Sequence, residues 1–574
     1  MSELSSEEAW RRAVLSGLKG APFEKLVATS AEAIPIEPLY LPKDAVGLTP
    51  RGEPGALPFA RGARPPGSGP FMVAARVEAH EPVERIREEL ASGAEAIWLS
   101  TDGVPNEAMA KAIAVALGDG ALFLDGGTRA LAVHEALSSA GISSLSALFD
   151  PIGSPPDAPG TDAFARAAAR VKAGGSKGRA LSVDAAGVHE AGGHAALEIG
   201  FALASLAELV RRLEGHGVAP KDTLATTAVR LTAGTLHLEA IAKLRALRLA
   251  YAKLTTAIGV SDPPPPFVVG HVSRRAQSRA DAPTNFLRAT LETFGLAVGG
   301  ADVIVPRAFD DVLEAHSDLG RRAARSTELV LRDESHLGAV ADPAGGSYFI
   351  EALTEKLARS GWEEMRTIER EGGVVASLAS GAFATRVSRA KDALLADVRK
   401  RKRVLVGTSD FAALGEKLAP ASAEAVHGAF SPVRPASVYE AVRERAAALK
   451  SPTAVLVRLG GGDVRAREEF AQRFFETGGL VVRAVEGTDA PAFVGAYPGA
   501  VFVLVGTDER YAEVAVSMTR GLLAAGATAV ALAGKPGEIE ADLRTAGLTA
   551  AAFVGCDVPA VLTDVLSAIA GGSR

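Results

Sequence analysis

The sequence predicts an α/β protein with two parallel sheets: a closed (β/α)8 TIM barrel, then a flavodoxin-like, doubly wound domain, with an extended N-terminal arm ahead of both. Two observations carry the sheets. From Phe71 to Val305 short apolar runs alternate with helical periodicities, and eight such runs over roughly 240 residues match the strand number and size of a closed barrel. From Pro452 onward five more short runs fall within about 120 residues, the size of a flavodoxin-like sheet. The arm is inferred from proline spacing. The predicted division is an arm at 1–68, a barrel with C-terminal helices at 69–395, a linker at 396–451 and the second sheet at 452–574.

In the arm, Ser6 with Glu7 and Glu8 opens a helix through Leu18. Ile34, Pro35, Ile36, Pro38, Leu39, Tyr40 and Pro42 then demand an extended path, which Pro54, Pro58, Pro65 and Pro66 continue. Prolines keep these apolar side chains out of a helix or a central strand, so they must lie on another surface. The predicted barrel strands are Met72 to Val77, Ala96 to Leu99, Ala121 to Leu124, Leu145 to Phe149, Ala180 to Val183, Thr227 to Leu231, Phe267 to Val269 and Val303 to Val305. Between the last two, Phe286, Leu287, Leu291, Phe294 and Leu296 recur at helical spacing until Gly299 and Gly300 end the helix. Further helices are expected at Trp362 to Gly372 and Leu394 to Arg403, and the run Arg399 to Arg403 reads as a solvated basic connection. The second sheet is predicted from Ala454 to Leu459, Leu480 to Val485, Val501 to Val505, Ala529 to Leu532 and Ala552 to Val554, with a closing helix from Val558.

Composition narrows the function. A net charge of -6 on 574 residues gives no electrostatic footprint for nucleic acid, and 48% hydrophobic residues supply sizeable cores. The single cysteine, Cys556, rules out an intrachain disulfide and fits a reducing cytoplasm; it reads as a small buried apolar residue, because no histidine follows His427. The opening MSELSSEEAWRR lacks the features of a signal peptide, and no apolar run reaches the ~18 residues of a membrane span.

In a barrel of this kind chemistry belongs to the loops at the C-terminal ends of the strands. Those loops offer Asp125 and Gly126, Asp150, Asp184 with His189 and Glu190, and His271 with Arg274 and Arg275. His189 and Glu190 suit either an acid/base pair or a hydrogen-bonded structural loop, and His271, Arg274 and Arg275 either an anion site or a solvated basic loop. Gly460, Gly461, Gly462 and Asp463 sit where a flavodoxin-like sheet binds ligands, although a glycine triplet also makes a plain turn. No zinc spacing, G-x-S-x-G elbow or G-x-x-x-x-G-K-[ST] loop occurs.

The stretch RADAPTNFLRATLETFGLAVGGAD followed by RRAARSTELVLRDESHLGAVADPAGGSYFIE resembles the adenosylcobalamin-dependent methylmalonyl-CoA mutases near the end of their barrel. Asp342, Pro343, Gly345, Gly346, Ser347 and Tyr348 look like that family's D-P-x-G-G-S-Y turn, and Ala242 to Leu254 look like its helix after the sixth strand. EEAWRRAVLSGLKGAPFEKL and PIEPLY in the arm, and Gly555 to Val558, are similar to the small subunit of the heterodimeric bacterial enzymes. The resemblance implies interconversion of (R)-methylmalonyl-CoA and succinyl-CoA by radical rearrangement, with adenosylcobalamin on a large catalytic subunit; the arm, whose apolar residues among prolines need another surface, is expected to dock on that partner. Departures from the family's motifs are specific. In its K-x-G-x-D-x-H-x-x-G signature, whose histidine ligates cobalt, the lysine falls at Arg458, the aspartate at Gly462 and the histidine at Val464. The family's substrate-contacting histidine falls at Val269 and its substrate-binding arginine at Thr226, not at His271 or Arg230. The expectation is therefore a non-catalytic small subunit with no catalytic, cofactor-binding or metal residues of its own. The alternatives are an active acyl-CoA mutase with an atypical cobalt site, or a stand-alone barrel enzyme using His189 and Glu190.

Overall fold

The computed structural model describes residues 6–65, 71–78, 81, 83–100, 104–125, 129–142, 144–153, 162–174, 178–423, 430–460 and 462–572; Pro66, Gly126 and Gly461 lie outside the described residues. The barrel strands are β1 Met72–Glu78, β2 Ala96–Ser100, β3 Ala121–Asp125, β4 Leu145–Ser146, β5 Leu181–Asp184, β6 Thr227–Ala233, β7 Phe267–Val272 and β8 Val303–Val305. They hydrogen-bond in the order β4-β3-β2-β1-β8-β7-β6-β5, with parallel neighbours throughout. The ring closes beyond the regular part of β4. Leu148 takes a left-handed φ of 48°, which interrupts the strand expected to run on to Phe149, and Phe149 then pairs in parallel with Leu181. The Ser182 N–H donates to the Phe149 carbonyl at 2.9 Å.

Four long helices place the later loops: α1 Ala195–Gly215, α2 His237–Ala257, α3 Thr284–Val298 and α4 Tyr348–Arg370. Helix α3 ends where the paired glycines predict, Gly300 adopting φ 79°. Its apolar stripe, however, is split: Leu296 is buried, while Phe286, Leu287 and Leu291 face outward. Helix α4 crosses α1 at Gly361, where a Cβ would come within 2.4 Å of Ile199 Cγ2, so only glycine permits this approach. Charges buried between the helices are paired. Arg245 of α2 donates to Asp342 and to Glu351 of α4, which holds the turn at Asp342–Ser347 against the start of α4.

The arm finds its surface on the barrel of its own chain. Ile34 is buried in the main core, and the Tyr40 ring packs edge-on to Phe349 with centroids 5.1 Å apart. Glu32 accepts the Ala195 N–H at 2.8 Å, placing a carboxylate at the N-terminus of α1, where the helix dipole favours it. Further along, Arg51 pairs with Glu351 at 2.8 Å and Glu355 at 2.9 Å.

The second sheet contains β9 Thr453–Arg458, β10 Val481–Glu486, β11 Val501–Val505, β12 Ala529–Ala533 and β13 Ala550–Ala552 in the order β10-β9-β11-β12-β13. Separate apolar clusters cover its two faces, as a doubly wound sheet requires. The described part of the connecting segment packs on the second sheet, although Lys400 and Lys402 stay exposed: Arg399 pairs with Asp557 at 2.7 Å, Arg401 donates to Thr477 Oγ1 at 2.9 Å, and the helix Ser437–Ala447 sends Arg443 to the Thr477 carbonyl at 3.0 Å. Residues ahead of this helix strap the barrel loops, with Ser422 N–H on the Val312 carbonyl at 3.0 Å and Val433 N–H on the Glu190 carbonyl at 2.8 Å.

Because Ile34 sits inside the barrel core, Ile34→Ala should destabilise the barrel by about 2–4 kcal/mol, the usual cost of emptying a buried aliphatic site. Urea unfolding followed by near-UV circular dichroism reads this as a lower midpoint. An unchanged midpoint would mean that the arm lies loosely on the barrel.

Candidate functional site

Side chains fill the barrel axis. Trp98, Phe123 and Phe267 stack in succession, with centroid separations of 6.2 and 6.4 Å and ring planes within 17° and 14° of parallel. Arg179 caps the column at 4.5 Å from the Phe267 ring. Ala74, Ala96, Ala228, Val269 and Val303 surround it, small inward residues beside the large rings.

Above Trp98 lies a buried polar layer centred on Arg230 of β6. In the parallel register Arg230 stands opposite Asp184 of β5, and its guanidinium reaches Asp184 at 3.1 Å and, across the axis, Asp125 of β3 at 3.3 Å. Its Nε donates to His271 Nε2 at 3.3 Å, and its Cζ lies 5.0 Å from the Trp98 ring centroid. Trp98 Nε1 in turn donates to Asp125 at 3.1 Å. Burial would lower the Arg230 pKa, but Asp184 and Asp125 more than offset it and the net shift is upward. His271 moves the opposite way: burial, and then the charge of Arg230, push it well below the usual histidine value. Nearby, burial alone would raise Asp311, but Arg307, Arg76 and Arg274 bring it down to about 2.

The loop residues singled out from sequence come together, but as supports for one another. His189 Nε2 is 3.1 Å from Ser273 Oγ, and Arg275 donates to the His189 carbonyl at 2.7 Å. Glu190 accepts the backbone N–H groups of Arg274 and Arg275 at 3.0 and 2.9 Å. Both carboxylate oxygens of Glu190 are thus committed to the loop after β7, the structural alternative to an acid/base pair. Asp150 accepts from Ile152, Gly153 and Asp184 N–H groups and shapes a turn. Arg274 reaches Ser422 Oγ at 2.6 Å, Arg275 is half-buried and donates to the His189 and Gly193 carbonyls, and His271 lies inside the barrel, so the three form no open basic cluster. Val269 and His271 are both inward-facing, one layer apart, whereas Thr226 ends a short helix below β6 and donates to the Asp222 carbonyl.

Sequence reasoning missed Trp98, Asp125 as a partner, and Arg230 as the centre of the layer. A signal existed: Arg230 is a charge in the middle of an apolar strand, at the same parity as Ala228, and such a charge requires partners on adjacent strands. In the second sheet, Asp463 pairs with Arg465 at 2.6 Å, Arg458 pairs with Glu468, and Val464 packs against the apolar core. Residues 452–574 contain no histidine, so the cobalt-ligating set of a cobalamin domain does not fit this loop. Among the described residues no cluster of three or more His, Cys, Asp or Glu has metal-binding geometry.

The pattern of the family described as Methylmalonyl-CoA mutase matches residues 156–452. The methylmalonyl-CoA mutase small subunit of Streptomyces virginiae is 32% identical over 98% of this chain and 96% of its own length. This chain belongs to the methylmalonyl-CoA mutase family. The small subunit of Propionibacterium freudenreichii subsp. shermanii is 30% identical over 98% of this chain and 94% of its own. The methylmalonyl-CoA mutase of Escherichia coli (strain K12) is similar over a shorter span, 26% identical over 41% of this chain and 34% of its own. Within this mutase-family barrel the polar layer and the aromatic column occupy the space along the axis.

Two measurements probe that layer. Arg230→Met leaves the largely enclosed carboxylates of Asp125 and Asp184 without their cation and should destabilise the barrel by up to about 3–5 kcal/mol, read in urea unfolding. His271 gives a pH signature. The unfolded chain protonates it near ~6.5 while the folded one does not, so its contribution to stability is present above that pH and lost as pH falls. His271→Gln should therefore make the decline in stability between pH 7 and pH 5 shallower than in the parent; identical declines would mean that folded His271 accepts a proton.

Proposed function

We propose that this chain is the non-catalytic small subunit of a heterodimeric methylmalonyl-CoA mutase, the enzyme that interconverts (R)-methylmalonyl-CoA and succinyl-CoA by radical rearrangement. One observation carries the reading: Trp98, Phe123 and Phe267 stack along the barrel axis beneath the Arg230 layer, in the path of any acyl-CoA chain entering along it. The residues of the second sheet support it, since Val464 offers no lone pair where a cobalt-ligating imidazole would stand. In this reading adenosylcobalamin and the CoA ester reside on the large subunit, and this chain stabilises that partner. The complex is expected in the cytoplasm; no described helix is long and apolar enough to cross a membrane.

Equilibrium dialysis of the isolated chain with adenosylcobalamin should show no binding at micromolar concentration, and mutase activity should arise only on mixing with the large subunit. Micromolar binding, or turnover without the partner, would favour an active mutase with an atypical cobalt site. In the assembled enzyme His189→Ala should leave kcat within a few-fold of the parent, whereas loss of a general base costs on the order of a hundredfold.

A further inference from the structure

Helix α3 is built with its polarity reversed. It contains two charged residues, Arg288 and Glu292, and both point inward. Arg288 donates to Asn285 Oδ1 at 2.7 Å and to the Val406 carbonyl at 2.6 Å, and Glu292 is fully buried with the Ser273 N–H on its carboxylate at 2.9 Å. Its outer face instead shows Phe286, Leu287 and Leu291, the middle one 62% exposed, without a single charge. A solvated barrel helix has the opposite pattern, apolar inside and charged outside. Other outer helices do place charge on the solvent side, α4 exposing Glu363 and Arg366 and the helix Asp318–Leu329 exposing Asp318, although α2 also buries Lys243, Arg245 and Arg248 in ion pairs and hydrogen bonds.

The apolar surface continues on both sides of α3. Leu236 and Leu238 at the start of α2 are exposed beside it, where the His237 ring meets Phe294 at 6.0 Å. On the other flank the connecting segment, tied to α3 through the Arg288 bond to Val406, exposes Val406 and Phe411. These seven side chains expose on the order of 700 Å², more than the ~300–600 Å² of the largest patch on a typical monomer and close to the ~800 Å² that one partner gives to a standard interface. A patch of this size, apolar apart from Asp410 and Arg473 beside Phe411, is what a subunit interface presents.

We infer that the outer face of α3, flanked by Leu236, Leu238, Val406 and Phe411, is the surface that docks the methylmalonyl-CoA mutase large subunit. This rests on the small-subunit reading above. The docking face is then the barrel flank, whereas much of the arm is engaged with its own barrel.

The test is co-purification of the full chain with the large subunit from the same organism, the dissociation constant being measured by analytical ultracentrifugation. The parent chain should bind. The double variant Leu287→Glu, Leu291→Glu should bind on the order of a hundredfold or more weaker, because two central apolar contacts are replaced by desolvated charges. Both sites are exposed, so the variant's circular dichroism and unfolding midpoint alone should match the parent. Should the variant misfold, hydrogen exchange on the parent complex replaces it, with slower exchange in 284–298 expected and unchanged exchange overturning the inference. A folded variant that binds as tightly as the parent would overturn the docking face while leaving the small-subunit reading intact. Absence of any complex with the parent would overturn both. A self-association of the isolated parent chain abolished by the same substitutions would assign the face to a second copy and overturn the inference as stated.

Discussion

Arg230 is the charge around which the barrel is arranged. A guanidinium at the centre of a closed sheet is tolerable only with its partners in place, and here they come from three strands: Asp184 beside it, Asp125 across the axis, and His271 on the next strand. Trp98 sits beneath, donating to the same Asp125 and offering its ring face to the cation. The layer therefore fixes the register of the strands around it and closes the axis at once. Small inward residues such as Ala74, Ala96 and Ala228 make space for the aromatic column.

The same rule, that buried charge must be answered locally, organises the outside of the barrel. Arg245 holds Asp342 and Glu351, Glu351 also receives Arg51 from the arm, and Lys243 donates to Glu198, whose other oxygen takes the Thr232 N–H. Through these pairs the arm, the turn at Asp342–Ser347 and helices α1, α2 and α4 become one layer. Helix α3 shows the converse. Its two charges are spent inward on Val406 and Ser273, so its outer face is left apolar.

How legible all this was depends on the range of each interaction. The barrel and flavodoxin-like strands were readable because a parallel strand is a short apolar run between turn signals, and that signal is local. Most ends moved by a residue or two, and β4 shortened because Leu148 left the strand conformation, which no apolar pattern announces. The helix at Ser6–Gly17 and the glycine stop of α3 were readable for the same local reason. The basic run at Arg399–Arg403 was read as solvated because its partners, Asp557 and Thr477, lie far away in sequence.

By itself the sequence determined the two sheets, their order along the chain and the family motifs, since each rests on neighbouring residues and on the period of apolar positions. It also put Val464 where the family's cobalt ligand stands, a matter of residue type alone. Only the tertiary structure decided which residues meet. Glu190 was revealed as a backbone clamp by the two N–H groups pointing at it from a loop more than eighty residues on, and Arg230 as a plug by an aspartate across the barrel axis. The outward turn of Leu287 was likewise fixed by where Arg288 and Glu292 found their partners, because helical spacing says that residues share a face but not which way the face points.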